Sequence, residues 1–348
     1  MTAEAYRQVI AAPARDRRDL FLTAANRLGT PIGNVEKDFW VSWALHALYQ
    51  RLPPNGPRLL FKGGTSLSKA HGLIARFSED IDITIFRDDI NEPATVEELQ
   101  ALSNNRRRRR LDGIRDACRA YIAGPMRNQL AAVFAEDTAG AGRIELDADD
   151  PDGQTLLLWY PEIDPQTGAY VRPAVRIEGG AKSAIDPHRG MTIKPYIAED
   201  IPDLDLAVDD VTTIEAERTL WDKVVIVHGL RRWFERRGVL RQDGHRVSRH
   251  YYDLHCLAQS DHGRAALAHD ALAIDCVQHA RMFFDRPDYD LATAIRGSFA
   301  VAPSREMLDA LRRDYAATIQ MIFGAVPSFD EIMESVIALD ALVNGARQ

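Results

Sequence analysis

The sequence predicts an α+β protein, a mixed α/β half to about residue 205 followed by an all-helical half. Three observations carry this. Short apolar stretches, "LLFKGG", "DIDITIF", "TLLLWYPEI" and "AYVRPAVRIEGG", read as strands between residues 59 and 180. Helical spacing of apolar residues precedes them over 15–52 and interrupts them over 95–137. From "DDVTTIEAERTLWDKVVIVHGL" onward the pattern is helical, with breaks near Gly238–Gly244, Arg286–Asp290, Val301–Ser304 and Gly324–Ser328. The expected domains are residues 1–205 and 206–348.

In order, "DLFLTAANRLG" and "FWVSWALHALYQRL" predict two helices parted by Gly29–Asn34, and "PPNGP" a turn. "LLFKGG" reads as a buried strand ending in glycines, and "TSLSKAHGLIARF" as a short helix. "DIDITIF" alternates, with Asp80, Asp82 and Thr84 on one face and isoleucines on the other. Residues 95–137 are helical and contain "NNRRRRR". Residues 140–155, acidic with Gly and Pro, are expected to form a loop or hairpin edge. Two strands follow, joined by a turn at Asp164–Gly168. Thr212 or Thr213 is the expected N-cap of the next helix.

A composition that is 46% hydrophobic and 27% charged fits a soluble globular protein. The longest apolar stretch, Phe39–Tyr49, is interrupted by Ser42 and His46 and is too short to span a bilayer. The N-terminus lacks an apolar signal core. Cys118, Cys256 and Cys276 form no C-x-x-C pair, which suits free thiols in a reducing cytoplasm. A net charge of −8 does not mark a nucleic-acid binder, but the stretch from Arg231 to Arg249 carries seven arginines against Glu235 and Asp243. Such a local basic face can still meet RNA.

The chemistry concentrates in "FKGGTSLSKAHGLIARFSEDIDITIF". Asp80 and Asp82, two apart on a strand, point the same way. Two converging carboxylates repel unless a cation lies between them. Hard oxygen donors without nearby His or Cys suit Mg²⁺ or Mn²⁺. Upstream, Gly63 and Gly64 allow close backbone approach, and Thr65 and Ser66 offer hydroxyls to phosphate. Other D-x-D pairs, such as Asp147/Asp149 and Asp288/Asp290, have no adjoining glycine turn and read as solvated or capping acids.

This stretch resembles the signature of the nucleotidyltransferase AbiEii/AbiGii toxin family. "VEKDFWVSWAL" resembles that family's N-terminal helix, "IEAERTLWDKVVIVH" its lysine motif and "SRHYYDL" its late aspartate motif, all in order. The resemblance implies a DNA-polymerase-β-like nucleotidyltransferase domain with a mixed sheet and a helical C-terminal domain. It also implies nucleotide transfer from an NTP with Mg²⁺, a toxin role with a cognate antitoxin, and RNA, tRNA ends above all, as acceptor. On these matches Asp80 and Asp82 are the metal pair, Gly63, Gly64, Thr65 and Ser66 bind the nucleotide, and Lys223 and Asp253 complete the catalytic set. Glu178 is the candidate third acid, although Arg176 shares its strand face. Arg231, Arg232, Arg236, Arg237 and Arg249 are candidates for RNA contact. Ser78 stands as a turn residue or a regulatory phosphosite. The alternatives are a protein or small-molecule acceptor, and a non-catalytic nucleotide-binding module.

Overall fold

The computed structural model describes residues 2–77, 80–163, 173–241 and 246–345. The first elements are α1 (Thr2–Ala11), α2 (Ala14–Leu28), α3 (Ile32–His46), β1 (Leu59–Lys62), α4 (Gly63–Lys69) and β2 (Asp80–Ile85). Next come α5 (Val96–Ala101), α6 (Asn104–Tyr121), α7 (Arg127–Asp137), β3 (Arg143–Leu146), β4 (Thr155–Trp159), β5 (Ala174–Gly180), β6 (His188–Ile193) and β7 (Val208–Ile214). The remainder is helical: α8 (Ala216–Arg237), α9 (Ser248–Ala258), α10 (Asp261–Leu267), α11 (Asp270–Phe283), α12 (Arg305–Thr318) and α13 (Phe329–Val343). Two units interleave along the chain. The first comprises Met1–Ala70, Phe77–Ala94 and Asn104–Thr213; the second comprises His71–Arg76, Thr95–Ser103 and Ile214–Gln348.

The first unit is built on a seven-stranded mixed sheet of order β3-β4-β5-β2-β1-β7-β6. β1 and β2 are antiparallel, with Lys62 opposite Asp82. β2 and β5 are parallel, with Asp80 opposite Arg176 and Asp82 opposite Glu178. The period-two pattern explains the two faces. Ile81, Ile83, Ile85, Val175 and Ile177 are buried, while Asp80, Asp82, Arg176 and Glu178 lie half-buried on the other face. The core of this unit centres on α3, which is buried on every side from Asn34 to His46, the charged Glu36, Lys37 and Asp38 included. Trp40 stacks on Tyr160 at 5.5 Å between ring centroids, and Trp43 packs on Phe134 at 4.8 Å. The Trp43 Nε1–H donates to Asp137 at 3.0 Å, and Arg7 pairs with the same carboxylate at 2.8 Å. Both tryptophans are fully buried packing residues.

Asp38, on α3, pairs with Lys69 at the end of α4 at 2.6 Å, both nearly sealed from solvent. Its second oxygen accepts from the Tyr196 N–H at 2.7 Å, and the Lys69 ammonium lies 4.1 Å from the Tyr196 ring centre. Burial outweighs these partners and holds the Asp38 carboxyl above the usual range. Asp38 thus forms a buried salt bridge with a lysine from the glycine-rich motif.

In the second unit α8, 22 residues long, packs against α9, α10 and α11. Trp221 is buried and donates to the Ala266 carbonyl at 2.9 Å. α13 opens with a reciprocal cap, in which Ser328 Oγ accepts from Glu331 N and Glu331 Oε2 accepts from Ser328 N. One local expectation changes and another is met. Thr212 and Thr213 lie within β7, and α8 begins after Glu215 without a side-chain cap. Residues 143–146 pair with β4 as an edge strand, the hairpin form of the acidic stretch. The predicted turn at Asp164–Gly168 lies outside the described residues.

Candidate active site

β1 ends at Lys62, and the chain turns at Gly63, whose φ of +78° is open to glycine and strained for other residues. The turn carries α4 back over the start of β2. There Gly63 lies directly against the Asp82 carboxylate: a Cβ at position 63 would sit 2.0 Å from Asp82 Oδ2. The Thr65 hydroxyl donates to the Asp80 carbonyl, tying the helix to the acidic strand. The Ser66 hydroxyl donates to the Gly63 carbonyl at 2.9 Å. Both side chains are buried. The hydroxyls expected to face phosphate thus brace the turn in this structure. Lys62 Nζ lies 4.0 Å from Asp82 Oδ1, the outer limit of an ion pair.

Asp80 and Asp82 share a face, partly open to solvent, and offer only hard oxygen donors. That donor set fits a small divalent cation such as Mg²⁺, which commonly takes one or two carboxylates and fills its shell with water and substrate phosphate. Glu178 stands in register with Asp82 on the next strand, but its Oε1 lies 3.2 Å from Arg176, which also reaches Asp147 at 3.4 Å. Among the described residues no group of three or more His, Cys, Asp and Glu side chains forms a metal site. The other D-x-D pairs serve local structure. Asp147 accepts from the Asp149 N–H, Asp150 from the Asp152 and Gln154 N–H groups, and Asp288 pairs with Arg237.

The two remaining predicted catalytic residues lie in the second unit. Lys223, on α8, pairs with Asp253, on α9, at 2.7 Å. Arg76 grips the same carboxylate through Nε at 2.8 Å and Nη2 at 3.0 Å. Asp253 is fully buried. Burial raises its pKa, but the Arg76 and Lys223 charges overcome this and hold it far below the ordinary carboxylate range. Burial also lowers the Lys223 ammonium, partly offset by Asp253. His250 is pushed well below its usual value by burial, then by Lys223 and Arg249. Asp253 is thus a fixed anion that orients two cations. Arg76 is the residue that sequence reasoning missed. Its signal was an arginine just ahead of the acidic strand, in "LIARFSEDID".

The profile of the nucleotidyl transferase AbiEii toxin family, from type IV toxin–antitoxin systems, matches residues 46–335. The chain belongs to that family. The AbiEii match spans the glycine turn, the acid pair, Lys223 and Asp253, and it makes this protein a nucleotidyltransferase toxin with an NTP substrate and a cognate antitoxin. Among solved structures it is similar to MenT4, a nucleotidyltransferase toxin from Mycobacterium tuberculosis H37Rv. The identity is 14%, with 93% of this chain and 89% of that chain covered and a TM-score of 0.49. No curated protein sequence matches. Among the described residues no helix is long and apolar enough to cross a membrane.

Four of the five arginines predicted for RNA contact have other partners in this AbiEii chain. Arg231 and Arg232 both pair with Glu235 at 2.9 Å. Arg236 bonds the Pro287 carbonyl, and Arg237 pairs with Asp288 at 2.6 Å. Arg249, half-buried, has no hydrogen-bond or ion-pair partner among the described residues. Ser78 lies outside those residues.

Proposed function

We propose that the protein transfers a nucleoside monophosphate from an NTP, with a divalent cation, to a hydroxyl of RNA, the tRNA 3′ end being the expected acceptor. The observation that carries this reading is the seating of the Asp82 carboxylate on the bare Cα of Gly63, with Asp80 beside it on the same strand face. That contact makes the acid pair and the glycine turn one local structure, which an amphipathic strand with merely solvated acids does not require.

Asp80 and Asp82 would hold the cation, which when bound neutralises the triphosphate and lowers the pKa of the attacking hydroxyl. The Gly63–Ser66 turn brings backbone, rather than side-chain hydroxyls, close to the phosphates. The acceptor oxygen forms a bond to the α-phosphorus, the bond from that phosphorus to the bridging oxygen breaks, pyrophosphate leaves, and the hydroxyl proton passes to water. From the motif match alone we assign the Lys223 ammonium, oriented by Asp253, to the nucleotide.

The test is incubation with labelled NTPs and separate pools of RNA, protein and small metabolites, with Mg²⁺ or with a chelator. Label in RNA that requires the metal and disappears in Asp80→Asn and Asp82→Asn is the expected result. Label in protein or metabolites instead selects the alternative acceptors. Undiminished transfer by either variant overturns the site, and absence of pyrophosphate release in all pools selects a binding module.

A further inference from the structure

We propose that the first turns of α6, through Arg106, Arg108 and Arg109, form a docking face for the phosphate backbone of the RNA acceptor. The inference rests on the RNA reading above and says where that RNA is held.

α6 starts with cations at the wrong pole. Its first turn has no acid and leads into five consecutive arginines. Cations at the positive end of a helix, crowded against one another, are destabilising unless an anion offsets them. The protein supplies only part of that. Arg110 pairs with Glu92 and bonds the Pro93 carbonyl at 2.5 Å. Arg107 bonds Asn104 at 3.0 Å. Arg106, Arg108 and Arg109 are exposed and have no hydrogen-bond or ion-pair partner among the described residues. At about 100° per residue these three fan over an arc of about 160°, leaving Arg107 on the opposite side. In the second unit, by contrast, Arg231, Arg232, Arg236 and Arg237 are held by protein acids and carbonyls. The run on α6 is thus a cationic patch that its own acids do not neutralise, in a chain whose net charge is −8.

Location selects a polymer. Arg110 is anchored to Glu92, which follows the turn Arg87–Ile90 at the end of β2 opposite to Asp80. Five steps of about 3.3 Å separate the two ends of that strand by roughly 17 Å. The triphosphate of a nucleotide seated at Asp80 and Asp82 is much shorter than that, whereas a polynucleotide whose end lies there carries phosphates at that range.

The test uses the full chain with Asp80→Asn to silence turnover, and a fluorescein-labelled RNA hairpin with a single-stranded 3′ end. Binding is read by anisotropy across a salt series. Replacing Arg106, Arg108 and Arg109 together by Gln keeps helix propensity. It is expected to lower the slope of log K against log salt by about 2, with the largest affinity loss at low salt. The Arg236→Gln/Arg237→Gln control is expected to bind RNA as the parent does. With Asp80 restored, the triple variant should transfer nucleotide normally to a short oligonucleotide acceptor and poorly to the hairpin. An unchanged slope and affinity overturns the docking face. If the active parent still labels RNA in that case, only the docking face falls. If the parent neither binds nor labels RNA, the RNA reading falls with it.

Discussion

Replacing Gly63 by Ala separates the fold from the chemistry. At φ +78° an L side chain costs about 1–2 kcal/mol of stability. The added methyl has a second effect. Its carbon would stand 2.0 Å from Asp82 Oδ2 and 2.7 Å from Cγ, where real contacts essentially never fall below 3.0 Å. The carboxylate must therefore retreat by about 1 Å, and a displacement of that size at a reacting centre costs about 10²-fold in rate. Urea unfolding and nucleotide transfer measured on the same preparation give both numbers. The expected result is a stability loss of about 1–2 kcal/mol with a rate loss of about a hundredfold. Transfer at the parent rate, with the same small stability loss, would refute the claim that the glycine holds Asp82 in its working position.

Asp38→Ala leaves the Lys69 ammonium buried without its carboxylate, for an expected loss of about 3–5 kcal/mol, and Asp38→Ala/Lys69→Met recovers much of it in a double-mutant cycle. Asp253→Asn removes the shared anion of Arg76 and Lys223 and is expected to cost a similar amount, read by thermal or urea denaturation. Because the Asp253 pKa is depressed in the folded protein, its contribution is fully present above about pH 4 and is lost as the pH falls further. His228 is buried and accepts the Ala300 N–H at Nδ1 at 3.0 Å; burial lowers its pKa below 6.5. The unfolded chain then takes up a proton that the folded protein refuses, so stability falls as the pH drops below about 6.5. His228→Gln should flatten that fall, measured as urea midpoints between about pH 7.5 and 5.5.

The parts of the fold that were legible in sequence are those where burial enforces a period. β2 shows this, because Ile81, Ile83 and Ile85 must face the core and so expose the acids together. β6 and β7 were not legible. His188–Ile193 is an edge strand with mostly exposed polar residues, and Val208–Ile214 runs almost directly into α8, so its alternation is too short to separate from a helix start. The acid pair and its glycine turn were visible because chain neighbours form them. Arg76 was hidden because its partner is 177 residues away, a pairing that no local pattern records. The C-terminal arginines of α8 were hidden in the same way, because Arg236 and Arg237 find their acids at Asp288 and Asp290, distant in sequence.

The interleaving of the two units has a practical consequence for dissection of the toxin. A fragment beginning at Ile214 would contain Asp253 and Lys223 but would lack His71–Arg76 and Thr95–Ser103, both parts of the helical unit. It would leave one half of the Asp253 clamp behind on the other piece. During synthesis the segment bearing Arg76 is made long before α9, so this clamp closes only once the last third of the polypeptide arrives. The helical portion therefore matures only with the whole chain, and truncation is the wrong tool for isolating its role.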